Sequence, residues 1–425
     1  HRITRRTNPM GEFIGIGYDV MGRVSSTTDA LGKVTTYTYD ATGRVAKVTL
    51  PGGANTAFER NPTGQVTKLT DPGGNDWINT YDKMGRKNSV TDPLGRITTL
   101  SHDDDNRAST VTFPDAMGDL VFTYDDAGNV TRLLYSDGVD LGFSYDANGR
   151  VTAADGISKA FDDNGQIVDT NGIVCGYDDG GRLISMKLAD DRVITYGYDA
   201  DNLLTSVSDW TGGTTTFNYD AAGRLTTMER PNGIDLTRAY NGNDHLTGVS
   251  ETGLADIQLT RDPAGRVSGA IRDLPPASST LPHDNASKTF DDASQVVGDT
   301  YDALGRRTAT GADQFNWDLA SRLVSYTVEG ATTTNGYDAL GRRTSRARTA
   351  TSTYVWNDAL ELPSISVEKR GGLDYRYFVH TPGGRLLYSI DAASGGRHFY
   401  HFDEMGNTIF VTDNAGQVVS SYVYS

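Results

Sequence analysis

"YDALGRRT" occupies residues 301–308 and returns letter for letter at 337–344, 36 residues later. A catalytic motif is needed once, so a stretch written twice reads as structural punctuation. The same grammar runs along nearly the whole chain. Tyr-Asp-x-x-Gly opens at Tyr18, Tyr39, Tyr81, Tyr124, Tyr145, Tyr177, Tyr219, Tyr301 and Tyr337. Phe161 and Phe402 open versions with Phe, and Thr28, Thr70, Thr91 and Thr412 open versions with Thr. Looser copies sit at Tyr198, Tyr240, Arg261, Phe290 and Trp317, and Tyr198, Tyr219, Tyr240 and Arg261 are each 21 residues apart. A fixed period of that size marks a repeat architecture.

The local chemistry explains the letters. In "TYTYDATGRVAKVTL" (36–50), Tyr37 and Tyr39 alternate with Thr36 and Thr38, the period of a half-buried strand. Asp40 suits the first position of a type I turn, where its carboxylate accepts a backbone N–H. Gly43 supplies the left-handed residue of a three-residue hairpin loop with a G1 bulge. In that register Asp40 stands opposite Arg44 and Tyr39 opposite Val45. The same roles fall to Tyr145, Asp146, Gly149 and Arg150; to Tyr219, Asp220, Gly223 and Arg224; to Tyr301, Asp302, Gly305 and Arg306; and to Tyr337, Asp338, Gly341 and Arg342. Between motifs come Gly-rich turn signals: "LPGGAN" at 50–55, "YSDGVD" at 135–140, "DWTGGT" at 209–214 and "RPNGID" at 230–235. Each period therefore holds two strands and two turns. The fold expected is all-β: one long antiparallel hairpin meander running through residues 1–425.

Composition bounds the rest. The Pro/Ser-rich stretch at 273–288 reads as a long loop between strands rather than a domain linker. Hydrophobic residues make up 37% of the chain beside 48 glycines and 22 tyrosines, which is thin for a packed sandwich and predicts a wet, moderately polar interior. So long a sheet also has edges to protect, which favours closure on itself. A net charge of −16 argues against binding along a nucleic-acid backbone. The single cysteine, Cys175, excludes an intramolecular disulfide and a cysteine-based zinc site. No apolar run is long enough to span a membrane, and no signal peptide is seen. The repeat is already running at 7–11, as expected of a piece of a longer chain.

"YDAAGRLTTM", "YDANGRVTAA" and "YDALGRRTSR" resemble the YD repeats of RHS-repeat proteins, which also occur in the B and C components of Tc toxins, in RHS effectors of type VI secretion and in teneurins. The resemblance covers roughly residues 7–425. It implies a β-strand spiral closed into a hollow cocoon around a C-terminal toxin domain, in a secreted or cell-surface bacterial protein. The partners it implies are that toxin domain, the remaining shell strands of the same polypeptide, and delivery machinery: a type VI spike or a Tc-type translocation component. Residues 398–425 are similar to the opening of the RHS-associated core, and the family's aspartyl autoprotease and toxin are expected beyond them. No cofactor is expected.

Five candidate sites compete with this structural reading. Asp71-Pro72-Gly73-Gly74 and Asp92-Pro93-Leu94-Gly95 resemble the paired aspartates of the family's autoprotease, but Pro also fits a type I turn and Asp262-Pro263-Ala264-Gly265 is a third copy without a mate. His398 and His401, three apart, point to opposite faces of a strand and make poor co-ligands. Asp103, Asp104 and Asp105 lack calcium-loop spacing and read as a solvated turn. Arginines after each turn glycine read as partners of the turn aspartate, and the tyrosines as packing residues rather than a sugar platform. The function expected is a non-enzymatic shell that encapsulates and helps deliver a toxin. The alternative is a teneurin-like adhesion or carbohydrate-binding module.

Overall fold

The computed structural model describes residues 2–7, 13–276 and 287–422. Most of the repeat start at 7–11, most of the 273–288 loop and the last three residues of the 398–425 stretch therefore lie outside the described residues. The chain is all-β: a short 3₁₀ turn at Pro114–Ala116 is its only helical element among the described residues. Strands of mostly four to seven residues follow one another from Arg5–Thr7 to Val418–Ser421. Chain neighbours pair antiparallel, as Val34–Tyr39 does with Val24–Thr28 on one side and Val45–Thr49 on the other.

The register explains why the motif works. Tyr39 faces Val45, with a bulge between Thr38 and Tyr39. The Asp40 N–H donates to the Arg44 carbonyl (2.8 Å) and the Gly43 N–H to the Asp40 carbonyl (3.0 Å). Gly43 has φ +86°, a conformation that costs a residue with Cβ but not glycine. The same pair of bonds closes the turns at Asp146, Asp220, Asp302 and Asp338. Strand, bulge and turn are thus one unit, repeated.

Two compact units emerge, and each draws on an early and a late stretch of chain. The first comprises His1–Phe143, Asp262–Arg266 and Ala286–Thr333; the second comprises Ser144–Arg261, Val267–Asn285 and Thr334–Ser425. Within the first, the Asp137 carboxylate accepts the Leu319 N–H (2.7 Å). Arg96 reaches the Asp302 carbonyl at 3.3 Å. Within the second, the Ala339 N–H donates to the Asp155 carbonyl (2.8 Å), and Asn232 Nδ2 donates to Thr412 Oγ1 (2.9 Å). In all four contacts the partners stand about 180–206 residues apart.

The expected wet interior needs correcting for the second unit. Among the described residues, twenty-five buried apolar side chains form one cluster there, from Ile173 to Leu259 on the early stretch and from Leu360 to Phe410 on the late one. Ile194, Val207, Val379, Tyr388, Phe399 and Phe410 are fully shielded from water. Each such side chain contributes roughly 1.5–3 kcal/mol on burial. The first unit keeps the thinner packing: Leu120 and Leu141 are buried, while Val34, Ile78, Ile97 and Val121 stay exposed. Whole-chain composition averaged two different interiors, because apolar residues are concentrated where early and late strands pack together.

Candidate functional site

The turn residues form a ladder. Asp146 Oδ1 accepts the backbone N–H groups of Asn148 (2.9 Å) and Arg150 (3.0 Å), while Oδ2 takes Arg150 Nε at 2.6 Å. Asp220 binds Ala222, Arg224 N and Arg224 Nε in the same way, with the last bond at 2.7 Å. Asp302 and Asp338 hold Arg306 and Arg342 Nε at 2.7 Å, and Asp40 holds Arg44 at 3.2 Å. These bonds stabilise the ionised carboxylate. They hold Asp146 below the usual range, chiefly through the Arg150 N–H, and Asp220 chiefly through the Arg224 side chain.

Each rung also reaches the next. The Arg150 guanidinium lies 4.3 Å over the Phe161 ring, and Arg224 lies 4.7 Å over Tyr240. The motif tyrosine then donates its hydroxyl to a backbone carbonyl fifteen residues back: Tyr39 to Val24 (2.6 Å), Tyr219 to Leu204 (2.9 Å), Tyr240 to Leu225 (2.9 Å). Where Arg replaces the aromatic, its guanidinium does the same job, Arg60 to Val45 and Arg261 to Leu246. Tyr301 differs: its hydroxyl accepts the Val296 N–H at 2.9 Å. Tyr145 and Tyr337 sit part-buried at the ends of their strands. The hydroxyl bond was not foreseen from sequence, although the constant Tyr-to-turn spacing carried the signal.

The remaining candidates resolve into turns. Asp71 accepts the Asn75 N–H (2.9 Å), and Asp92 holds Arg96 through its Nε at 2.6 Å. Asp103 pairs with Arg107 at 2.8 Å, and Asp105 meets the same arginine at 3.0 Å. No cluster of three metal-binding side chains occurs among the described residues. Cys175 is buried, and burial pushes its thiol up to about 12, away from reactivity.

Sequence reading missed the buried charges. Glu251 takes Arg230 on both oxygens (2.6 and 3.2 Å), and His401 Nδ1 lies 3.2 Å from it, all with side chains essentially shielded from water. His401 also meets Thr412 Oγ1 at 2.9 Å and stacks on Phe410 at 4.3 Å. Burial and the Arg230 charge lower its basicity, against the pull of Glu251. Asp209, read as a turn residue, is clasped by Arg397, and Asp358 by Arg342 and Lys159. The alternation Phe399, His401 on the buried face was the available signal.

Taken together, the arrangement fastens strands to one another through repeated turn contacts, the hallmark of a YD-repeat β-meander. Residues 10–176 match the teneurin YD-shell family and residues 177–214 the RHS repeat, so this stretch carries RHS/YD repeats. Among solved structures, TcdB2-TccC3 without its hypervariable C-terminal region shares the fold, with a TM-score of 0.57 and 15% identity over 98% of this chain and 28% of that one. Among curated proteins, the tRNA3(Ser)-specific nuclease WapA of Bacillus spizizenii is 24% identical over 157 residues. The tRNA nuclease WapA of Bacillus subtilis is 24% identical over 128 residues. The chain spans only 7% and 5% of the lengths of these two relatives, while 34% and 29% of it are matched. No helix among the described residues is long and apolar enough to cross a membrane.

Proposed function

We propose that residues 1–425 are one continuous wall segment of a bacterial toxin shell, which encloses a C-terminal toxin domain and releases it through delivery machinery outside the cell that makes it. One observation carries this reading. The curated relatives are nucleases named for different tRNA specificities, and the solved structure of the same fold is named for lacking a hypervariable C-terminal region. A repeat shared beside a varying activity is a carrier. The segment itself performs no catalysis in this reading, because its turn carboxylates are committed to arginine and backbone N–H groups. Contact with cargo falls to weak apolar positions such as Ile78 and Ile97, which flank Thr91 and remain exposed.

The test is protease challenge of the full-length protein, intact or nicked within residues 273–288. Protection of the toxin segment that is lost on nicking, with Asp71→Asn and Asp92→Asn leaving chain length unchanged, is the expected result. Digestion at the rate of free toxin would overturn enclosure. The match of residues 10–176 to the teneurin YD-shell favours a second reading, a cell-surface adhesion or carbohydrate-binding module, which that outcome would promote.

A further inference from the structure

One turn in the ladder breaks its electrostatic rule. Wherever the described turns carry arginine four residues after the opening residue, that opening residue is aspartate, as at Asp146, Asp178, Asp220, Asp318 and Asp338. Where the acid is absent, so is the arginine: Asn61 meets Gln65, and Asn241 accepts the His245 N–H. "TPGGR" at 381–385 departs from both patterns. Thr381 N–H donates to the Arg385 carbonyl (2.9 Å), and the Arg385 N–H donates to Thr381 Oγ1 (3.2 Å), so the turn forms normally. Its opening residue, however, offers a hydroxyl that cannot balance the arginine's charge, and the guanidinium lies 5.7 Å over the Phe402 ring. Among the described residues Arg385 has no ion-pair partner.

The surroundings sharpen the imbalance. Arg385 lines a cavity of about 550 Å³ together with Thr381, Tyr198, Phe217, Tyr219 and Glu361. Burial, with the positive fields of Arg238 and Arg230, pulls the guanidinium down to about 10. Glu251 is already clasped by Arg230, and Glu361 shares the cavity without forming an ion pair with Arg385 among the described residues. The Arg238 Nε is buried and has no hydrogen-bond partner. A half-buried cation without a counter-charge is costly unless an anion meets it.

We propose that Arg385 forms an oxyanion site in the second unit, taking a phosphate or carboxylate group where the ladder elsewhere supplies aspartate. The guanidinium fork matches both groups by paired N–H···O bonds. This inference stands independently of the shell reading. The site accepts either a free anion or an acidic group presented by a larger molecule, and the shared chemistry is the planar or tetrahedral oxyanion.

Calorimetric titration of the intact chain with inorganic phosphate, and separately with succinate, tests it. Wild type is expected to bind one equivalent of at least one of them. Thr381→Asp, which restores the missing acid, and Arg385→Gln, which removes the cation, are both expected to abolish that binding. Thr381→Asp should also melt higher than wild type in chloride alone, a readout that a misfolded variant cannot mimic. Binding of phosphate but not succinate assigns a phosphate ligand, and the reverse a carboxylate. Failure of wild type to bind either anion, or equal binding in all three proteins, overturns the proposal.

Discussion

Arg397 clasps Asp209 from 188 residues away, with Nε 2.9 Å from Oδ2 and Nη2 3.1 Å from Oδ1. Tyr388 Oη donates to the same carboxylate at 2.9 Å, and the Asp209 side chain has no contact with water. Gly213 makes room for the clasp, since a Cβ there would run into the Arg397 guanidinium. The pair ties the early stretch of the second unit to the late one at the rim of its core. Removing one member leaves the other buried and uncompensated. Asp209→Asn or Arg397→Met should each cost about 3–5 kcal/mol, and Asp209→Leu with Arg397→Met less than the sum of its single substitutions. Urea unfolding measures all of these, and additive losses would show that the pair is not coupled.

Tyr219→Phe keeps the ring and loses only the hydroxyl bond to the Leu204 carbonyl. The expected cost is about 1 kcal/mol, the usual value of one such bond. A cost near zero in thermal or urea unfolding would reduce the repeat tyrosine to a packing residue.

The turn glycines differ in what surrounds them. Gly223 has φ +75° and open space where a Cβ would stand, so Gly223→Ala should cost about 1 kcal/mol through backbone strain alone. Gly384 has φ +85°, and a Cβ there would meet the Leu362 Cβ and carbonyl oxygen at 2.7 Å. Gly384→Ala should therefore destabilise clearly more than Gly223→Ala. Gly223→Val should in turn exceed Ala222→Val. Equal melting shifts in either comparison would contradict the turn geometry.

His380 sets an acid limit. Burial holds its pKa down to about 4, against the opposing hydrogen bond to the Phe378 backbone. The unfolded chain, titrating near 6.5, binds the proton more readily than the folded one, so stability falls as pH drops from 6.5 towards 4. The whole effect is on the order of 3 kcal/mol at most. His380→Asn should flatten that part of the stability profile. An unchanged slope between pH 6.5 and 4 would show that His380 titrates normally.

The hairpin could be read from letters alone because everything it needs is local. Asp40 caps its own turn, Gly43 supplies the positive φ, and Arg44 returns to Asp40, all within five residues. Strand alternation and the all-β meander follow by repetition of that unit. What only the tertiary structure decided lies between residues more than 100 apart: Arg397 on Asp209, Asn232 on Thr412, and the packing of Ile173–Leu259 against Leu360–Phe410. A two-residue period says which side chains share a face, and it placed His398 and His401 on opposite ones. It does not say what comes to cover that face, which is why His401 against Glu251 and the unbalanced Arg385 went unseen. Burial, and with it the cost of an unpaired charge, depends on how the later strands meet the earlier ones, and no turn sequence encodes that meeting.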